Sequence, residues 1–313
     1  MTDCKLRVAT RKSALAMAQT TMVAEAVVAA NPGLTYELVS MTTEGDRRLD
    51  KSLASFGGKG VFIKELEVAL LEGRADIAVH SLKDMPAEVL PEFKLAAVLH
   101  REDPRDAFVA RGGVDGIKFM DLPAGSRIGT GSIRRVVQLK ALRPDLEYVP
   151  IRGNIQTRLS KLAELDGVVL AAAGLKRMGL ADQITEYFCP EQMLPASGQG
   201  ILAIETLNDI GEAKQPLEAL LSRVNDAEAY SIAVAEMAYL KALNAGCQFP
   251  VASFAEFVDG SDLLKIRGIY WDETSQKLLR ADVQQTVNAC AADAVAQARA
   301  AGYALAEKIK EML

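Results

Sequence analysis

The chain has 313 residues, half of them hydrophobic, with 36 Lys and Arg against 41 Asp and Glu and a formal net charge of −5. This composition indicates a globular protein long enough for two or three domains, and its acidic balance argues against a general nucleic-acid coat. The start, MTDCKLRVATRKS, has no apolar secretory-signal segment, and no run of about 18 apolar residues could span a membrane. We therefore expect a cytoplasmic protein with no nucleic-acid or membrane partner.

The first hundred residues alternate between strand-like and helix-like segments. In chain order these are the strand KLRVAT, the helix SALAMAQTTMVAEAVVAA, the strand TYELVSM, the helix VFIKELEVALLEGR and the strand ADIAVHS. The polar stretch TTEGDRRLDKSLASFGGKG, before the second helix, is predicted to be a mobile loop. This βαβαβ rhythm predicts a largely parallel sheet with right-handed crossovers.

A similar rhythm restarts after REDPRD, with strands SRIGT, LEYVPI and GVVLAAA and helices SIRRVVQLKAL and IQTRLSKLAEL. MLPASGQGILAIET is predicted to be a return segment, so two hinge strands would link two lobes. From about Arg223, a long helix, two strand-like segments and an Ala-rich helix indicate a small α+β domain. The predicted domains are residues 1–100 with 200–219, residues 101–199, and residues 223–313.

Basic and polar side chains recur where strands end and helices begin, which is where open α/β sheets bind ligands. Between Arg127 and Arg177 the chain has ten Lys or Arg and four Asp or Glu. This local excess predicts a patch for a polyanion, and the planar fork of arginine favours carboxylates. The alternative for any one of these residues is a solvated surface charge. The residues so placed are Arg11, Ser13, Ser132, Arg134, Arg135, Arg152, Arg158 and Arg177.

The stretch ADIAVHSLKDMPAEV ends a strand at Ser81 and places Lys83 and Asp84 just beyond it. One interpretation is ordinary turn chemistry, since Asp is common at such positions. The other is a carboxylate that stays ionised among many arginines and stabilises a cation or shuttles a proton.

The cysteines, Cys4, Cys189, Cys247 and Cys290, are far apart and form no CxxC pair. This spacing indicates a reducing compartment without a disulfide framework. With only two histidines in the chain, we expect no metal site. Cys247 lies in a Gly-Cys-Gln turn between a helix and a strand. Taken alone, it is best explained as a small buried hydrophobic residue.

Eight segments resemble, in order, the successive blocks of the porphobilinogen deaminase (hydroxymethylbilane synthase) family and cover almost the whole chain. They are ATRKSALAMAQ, GGKGVFIKELEVALLEGRADIAVHSLKDMP, REDPRDAFV, RIGTGSIRRVVQL, RGNIQTRLSKL, AAAGLKRMGL, LPASGQGILAIE and GCQFPV. Eight blocks in the family's order are far more specific than any one of them.

The resemblance implies an α/β fold with two periplasmic-binding-protein-like lobes joined by hinge strands, plus a small α+β third domain. It implies a monomeric transferase of porphyrin and haem (tetrapyrrole) biosynthesis, which joins four porphobilinogen molecules head to tail into hydroxymethylbilane and releases ammonia. The family's reaction starts on a dipyrromethane cofactor held by a cysteine thioether. The resemblance assigns that attachment to Cys247, where a thiolate would serve as the nucleophile.

The resemblance also implies a role for each candidate residue. Asp84 would be the catalytic aspartate, which stabilises the positive charge shared with the pyrrole nitrogen after ammonia leaves. Lys59 would lie on the loop that covers the cleft, directly after a lid predicted over residues 42–58. The cofactor-binding residues would be Ser81, Lys83, Thr130, Ser132, Arg134 and Arg135, and the substrate-binding residues Arg11, Ser13, Arg152, Arg158 and Arg177.

Some positions depart from the family pattern. Asn244-Ala245 stand where Glu-Gly is common, Met237 where Arg is common, and Gly131 where Ser is frequent. The first two alter the surroundings of Cys247 and are expected to affect cofactor loading or stability.

Two alternatives to the enzyme use the same lobes. One is a cytoplasmic anion- or solute-binding protein with a two-lobed cleft, and the other is a ligand-sensing regulator. No basic helix-turn-helix region supports the regulator. Neither alternative would carry covalent pyrroles, so the mass of the purified protein separates them from the enzyme.

Overall fold

The structure is a computed structural model, and it describes residues 4–42, 63–208, 214–245 and 249–313. The chain groups into two compact units: unit 1 comprises Met1–Arg101 with Ile201–Tyr230, and unit 2 comprises Glu102–Gly200 with Ser231–Leu313. The sequence-based division into three domains stays a prediction.

Unit 1 contains a five-stranded mixed sheet. Its elements are β1 (Cys4–Arg11), α1 (Ala14–Ala30), β2 (Leu34–Met41), α2 (Lys64–Leu71), β3 (Ile77–Ser81), β4 (Phe93–Val98), β10 (Leu202–Leu207) and α6 (Lys214–Ser222). The strand order is β2-β1-β3-β10-β4, and β10 runs antiparallel to both β3 and β4. Fully buried Val8 and Ile77 of the sheet pack in one cluster with Val23 and Val27 of α1, which explains the apolar spacing of that helix.

Unit 2 contains a second five-stranded sheet with the same plan. Its elements are β5 (Asp106–Ala110), β6 (Arg127–Gly129), α3 (Ile133–Leu142), β7 (Glu147–Val149), α4 (Ile155–Ser160), β8 (Gly167–Ala171), α5 (Ala172–Arg177) and β9 (Glu186–Tyr187). The order is β7-β6-β8-β5-β9, with β6 parallel to β7 and β8, and with β5 antiparallel to its neighbours. Phe119 packs edge-to-face against Phe108 and Phe188, with ring centroids 5.6 and 5.2 Å apart.

The rest of unit 2 is an antiparallel sheet with helices. Its elements are α7 (Ala227–Ala242), whose residues 227–230 are grouped with unit 1, β11 (Val251–Phe257), β12 (Leu263–Asp272), β13 (Lys277–Thr286) and α8 (Ala294–Lys310). The strand order is β11-β12-β13. Alternate residues Leu264 and Ile266 of β12 face a core that contains Tyr239 of α7 and Leu305 of α8. With this part and the two α/β lobes, the predicted fold class is confirmed.

The sequence-based elements differ from the structure at several places. GVVLAAA is not one strand: β8 ends at Ala171, and α5 begins at Ala172. The predicted helix IQTRLSKLAEL ends at Ser160, and a 3₁₀ turn, Lys161–Ala163, comes directly after it. Of the described helices, none combines the length and the apolar character that crossing a membrane requires.

Candidate functional site

The segment after β3 carries the predicted catalytic carboxylate. β3 ends at Ser81, and Leu82–Asp84 form one 3₁₀ turn, whose Leu82 N–H donates to the carbonyl oxygen of Ile201 at 3.0 Å. Leu82 is buried, whereas Asp84 is exposed. Among the described residues, no hydrogen bond or ion pair engages the Asp84 carboxylate. The turn therefore presents an anion to solvent from an anchored backbone.

Two polar pairs, one of them buried, support the end of β3. Ser81 Oγ donates to Oε1 of Gln19 on α1 at 3.2 Å, and His80 Nε2 lies 2.9 Å from Oε2 of Glu205 on β10. His80 and Glu205 are both buried. Burial, and then the negative charge of Glu205, raise the pKa of Glu67 on α2. The two hydrogen bonds hold the strand that leads into Asp84 against α1 and β10.

The other predicted residues of unit 1 lie beside this turn or at the end of β1. β1 and β3 are parallel, so their carboxyl ends meet at one edge of the sheet. Arg11 ends β1 and is partly buried, as is Lys83 on the 3₁₀ turn. Ser13 is the N-cap of α1, and its Oγ accepts from Ala16 N at 3.3 Å. This contact explains Ser13 structurally, and its binding role stays a prediction.

In unit 2, Thr130 and Ser132 lie between β6 and α3. Thr130 is buried, and its Oγ1 accepts from the Ser132 N–H at 3.4 Å. Ser132 is the N-cap of α3, but its hydroxyl makes no capping hydrogen bond. Between them, a Cβ added at Gly131 would lie 2.6 Å from the carbonyl oxygen of Ile151. A serine here would need a backbone shift, so glycine fits this backbone as it stands.

Arg134 and Arg135, in the first turn of α3, converge on the carboxylate of Asp106 at the start of β5. Arg135 donates to Asp106 Oδ1 from Nε at 3.0 Å and from Nη2 at 2.7 Å, and to the carbonyl oxygen of Val169 from Nη1 at 2.9 Å. Arg134 Nη1 lies 2.8 Å from Asp106 Oδ2 and donates to the carbonyl oxygen of Leu194 at 2.6 Å. Asp106 is fully buried, and each arginine is 5% exposed.

The charges of this cluster do not balance. Burial alone would raise the pKa of Asp106, but the two guanidinium charges outweigh burial and hold that pKa well below its usual range. Burial lowers the pKa of Arg134, and Asp106 opposes part of that change. Two arginines share one carboxylate, and among the described residues Nε and Nη2 of Arg134 have no hydrogen-bond partner. A buried guanidinium with open N–H groups suits a carboxylate ligand.

The remaining predicted arginines differ in burial. Arg152 lies beyond β7 and is exposed, and Arg158 of α4 donates from Nε to a backbone carbonyl at 2.9 Å. Arg177, at the end of α5, donates from Nη2 to the carbonyl oxygen of Gly200 at 2.6 Å. Its Nε is buried and has no hydrogen-bond partner in the described part of the chain. Burial, against the opposing charge of Glu102, lowers the pKa of Arg177 to about 10.

Two other basic residues of this stretch, Arg127 and Lys161, have exposed side chains and belong to surface ion pairs. Exposed ion pairs of this kind contribute little to stability. The pairs are Arg127 with Glu147 at 3.6 Å and Lys161 with Glu164 at 3.7 Å. Arg143 differs from them, because its side chain is mostly buried and donates to the carbonyl oxygens of Phe119, Met120 and Leu122 as well as to Asp145.

Cys247 and Lys59 lie outside the described residues, as does the predicted lid beyond Thr42. The helix that precedes Cys247 is described. Beyond the end of α7, Asn244 has a φ of 50°, and Ala245 N donates to the carbonyl oxygen of Leu240 at 3.0 Å. This is a left-handed helix stop, a conformation that asparagine tolerates better than glutamate does. The departure at position 244 therefore suits the backbone, while nothing in the described structure explains Met237.

Over the described residues there is no group of three or more His, Cys, Asp or Glu side chains placed to hold a metal ion.

Two family models match most of the chain. The model described as porphobilinogen deaminase, dipyromethane cofactor binding domain, matches residues 6–215, and the one described as porphobilinogen deaminase, C-terminal domain, matches residues 230–311. The chain belongs to the porphobilinogen deaminase family. The resemblance found in the sequence is confirmed.

Relatives in this family are similar over most of their length. The porphobilinogen deaminase of Syntrophus aciditrophicus is 46% identical over 286 residues, which are 90% of this chain and 90% of the relative. That of Clostridium kluyveri is 47% identical over 279 residues, 88% of this chain and 92% of the relative. That of Chromobacterium violaceum is 49% identical over 259 residues, 82% of each chain. These matches favour the enzyme over the solute-binding and regulatory alternatives.

Several buried polar residues that contact the predicted positions or their neighbours were not predicted from the sequence. Asp106 was noted only as the last residue of REDPRD. An acid at the start of an otherwise apolar, buried strand indicates a buried cation nearby. Gln138 holds Leu194 through two hydrogen bonds, to its carbonyl oxygen at 3.0 Å and from its N–H at 2.8 Å. Glu236 of α7 is fully buried and accepts from Gly198 N at 2.5 Å and Ala255 N at 2.7 Å. No sequence signal distinguishes this glutamate from Glu228, the other acid of its helix.

Proposed function

We propose that the protein is a hydroxymethylbilane synthase. It joins four porphobilinogen molecules head to tail into hydroxymethylbilane, with the release of ammonia, and it starts on a dipyrromethane attached to Cys247 by a thioether. The observation that carries this proposal is the family match over residues 6–215 and 230–311. The open N–H groups of buried Arg134 support it, because every pyrrole unit brings carboxylates that need cations.

We assign the anionic side chains of the pyrroles to the basic residues. Arg134, with the hydroxyl of Ser132 that the helix leaves unused, would hold the dipyrromethane through charge-assisted hydrogen bonds, and Arg135, whose guanidinium nitrogens are all engaged, would support the same cofactor site from beside Arg134. The other assigned residues would neutralise carboxylates of the incoming porphobilinogen or complete the cofactor's surroundings. They are Arg11, Ser13, Ser81, Lys83, Thr130, Arg152, Arg158 and Arg177.

We assign the catalytic role to the carboxylate of Asp84. The dipyrromethane, when bound, supplies the pyrrole carbon on which the chain grows. The carbon–nitrogen bond of the porphobilinogen aminomethyl group breaks, ammonia leaves, and positive charge spreads to the pyrrole nitrogen of that molecule. The Asp84 carboxylate stabilises this charge as it develops and accepts the proton that is lost when the new carbon–carbon bond has formed. Its exposed position without described partners suits a group that meets its cation only during turnover.

We also propose that the protein is a monomer of the cytoplasm. Its four cysteines are scattered, as is usual where thiols stay reduced. Sedimentation at micromolar concentration should give one species at the mass of a single chain, and a dimer would contradict the proposal.

The test of the function is the mass of Cys247 variants. The protein purified from cells that make porphobilinogen should exceed its sequence mass by two porphobilinogen units less two ammonia molecules. The increment should survive thiol reductants, as a thioether does and a disulfide does not. Cys247→Ala should remove both the increment and the activity.

The matched controls are Cys189→Ala and Cys290→Ala, which replace the partly buried and the exposed free thiols of unit 2. Both should keep the increment and the activity. Wild-type protein with only its sequence mass would refute the enzyme and favour a binding protein.

A further inference from the structure

The carboxylate of Asp106 does more than neutralise a charge, because its contacts with Arg134 and Arg135 fix the directions of both guanidinium groups. Oδ1 accepts from Nε and Nη2 of Arg135, and Oδ2 contacts one terminal nitrogen of Arg134. With Nη1 bound to a backbone carbonyl, the Arg135 guanidinium has every nitrogen engaged. Arg134 is engaged only through Nη1 within the described residues. The two neighbouring arginines are therefore not equivalent.

Neutral groups complete the cluster without altering its charge. Gln199 Nε2 donates to Asp106 Oδ1 at 2.9 Å and to the carbonyl oxygen of Pro104 at 2.8 Å. The carbonyl that receives Arg134 belongs to Leu194, which Gln138 holds at both its N–H and its C=O. The orientation of Arg134 is thus set by a carboxylate on one side and a fixed carbonyl on the other. Such preorganisation lowers the cost of binding an anion.

We propose that Asp106 is a positioning residue: it occupies Arg135, leaves Nε and Nη2 of Arg134 available, and limits the cluster to a single uncompensated positive charge. The anion that completes the cluster is one carboxylate, and, given the proposed function, it belongs to the dipyrromethane. Without Asp106, two buried guanidiniums would repel each other, and each would be held only by its hydrogen bond to a backbone carbonyl. Removal of one partner from a buried ion pair is costly for this reason.

The decisive experiment compares Asp106→Asn with Asp103→Asn by intact mass. Asp103 is a suitable control because it is also poorly exposed, has ion pairs with Arg105 at 2.8 Å and Lys176 at 3.2 Å, and contacts neither Arg134 nor Arg135. Both variants should lose thermal stability. The fraction of molecules that carries the two-pyrrole increment should fall about tenfold or more in Asp106→Asn, since a charge-assisted hydrogen bond is worth roughly that factor. It should stay at the wild-type level in Asp103→Asn.

A double variant, Asp106→Asn with Arg135→Gln, tests the charge count. It restores one net positive charge with an amide pair in place of the ion pair, so it should recover stability and loading relative to Asp106→Asn alone. If Asp106→Asn alone does not fold, the double variant still tests the proposal, because a folded double variant that carries the mass increment supports it. A double variant that fails to fold, or folds without recovering loading, overturns the proposal.

Other outcomes separate this inference from the proposed function. If wild-type protein carries no pyrroles, the proposed function fails and the inference fails with it. If the wild type is loaded and Asp106→Asn is loaded equally, only the inference is overturned. Equal loss of loading in Asp103→Asn, at equal loss of stability, would show that loading merely tracks stability and would also overturn it.

Discussion

The two five-stranded sheets share a strand order, yet the turns after two strands at matching positions, β1 and β6, differ in which polar groups they leave free. In unit 1, β1 leads through Lys12 to Ser13, and in unit 2, β6 leads through Thr130 and Gly131 to Ser132. Both serines are N-caps, but the hydroxyl of Ser13 accepts a helix N–H and that of Ser132 does not. A common backbone plan thus gives a structural residue in one sheet and an available hydroxyl in the other.

The charged residues near the two sheets also differ in whether they have partners and in how deeply they are buried. Unit 1 presents the exposed carboxylate of Asp84, which has no partner among the described residues, whereas unit 2 buries Arg134 and Arg135 around Asp106. A buried charge interacts strongly with its surroundings, so its loss affects folding, while an exposed charge contributes little to stability. Substitutions in unit 1 should therefore affect chemistry, and those in unit 2 should affect cofactor loading and stability together.

The largest expected effect is a loss of catalytic rate, and it comes from a substitution in unit 1. Asp84→Asn keeps size and removes the negative charge, so the steady-state rate should fall about a hundredfold or more. The melting temperature should not change, because the carboxylate is exposed. Glu92→Gln, at another exposed acid of unit 1, should leave both quantities unchanged. A rate above about a tenth of wild type would contradict the role of Asp84.

Lowering the pH should change the stability of the two units in opposite directions. Burial opposes ionisation of Asp103, but hydrogen bonds from Arg105 and Lys176 lower its pKa from 3.8 to about 2, and the pKa of Asp106 is lowered too. A depressed folded-state pKa contributes stability above the unfolded value, and this stability is lost as the pH falls from about 4 to about 2. For Asp103 the loss is about 2 kcal/mol. In unit 1, the raised pKa of Glu67 has the opposite sign, so protonation favours the folded state.

Hydrogen exchange measured by mass spectrometry, corrected for intrinsic rates, checks this prediction. Peptides from 102–110 should lose protection between pH 4 and pH 2 before those from 64–81 do. Asp103→Asn should be less stable at pH 5 and show a shallower loss on the acid side. Earlier loss in the unit 1 peptides would contradict the assigned pKa directions.

The smallest expected effect concerns the residue before each N-cap serine. Gly131→Ser places a Cβ against the carbonyl of Ile151 and should cost at least about 1 kcal/mol in the free energy of unfolding. Lys12→Ser, at the matching place after β1, replaces an exposed side chain and should stay within about 0.5 kcal/mol. Gly131→Ala should behave like Gly131→Ser, because the Cβ causes the clash. Equal changes in the free energy of unfolding for Gly131→Ser and Lys12→Ser would show that the backbone accommodates the added Cβ.

Much of the fold could be predicted because local periodicity reports burial. The strands with continuous apolar runs and the helix α1 lie where the sequence indicated. β13 was not predicted, since its sequence KLLRADVQQT is mostly polar and belongs to an edge strand that pairs only with β12. The helix α5 was taken as part of a strand, because a short apolar run does not distinguish a buried strand from a buried helix.

For the site, the sequence identified which residue types stand at strand ends but not how they pair. Arg134 and Arg135 were predicted as equals, and their difference depends on Asp106, which lies 28 residues earlier in the chain on another strand. Such a pairing depends on strand order, which local patterns do not encode. The left-handed stop at Asn244 is a contrasting case, because asparagine after a helix is itself a local signal.

The insertion of β10 between β3 and β4 has a consequence for synthesis on the ribosome. β3 and β4 leave the exit tunnel long before β10, and roughly a hundred residues separate β4 from β10. At about 5–20 residues per second, that interval is on the order of 5–20 s. Throughout it, two strands lack the neighbour that joins them, and unpaired strand edges recruit other chains. A nascent-chain chaperone therefore has a defined period of action, which closes when Leu207 has emerged.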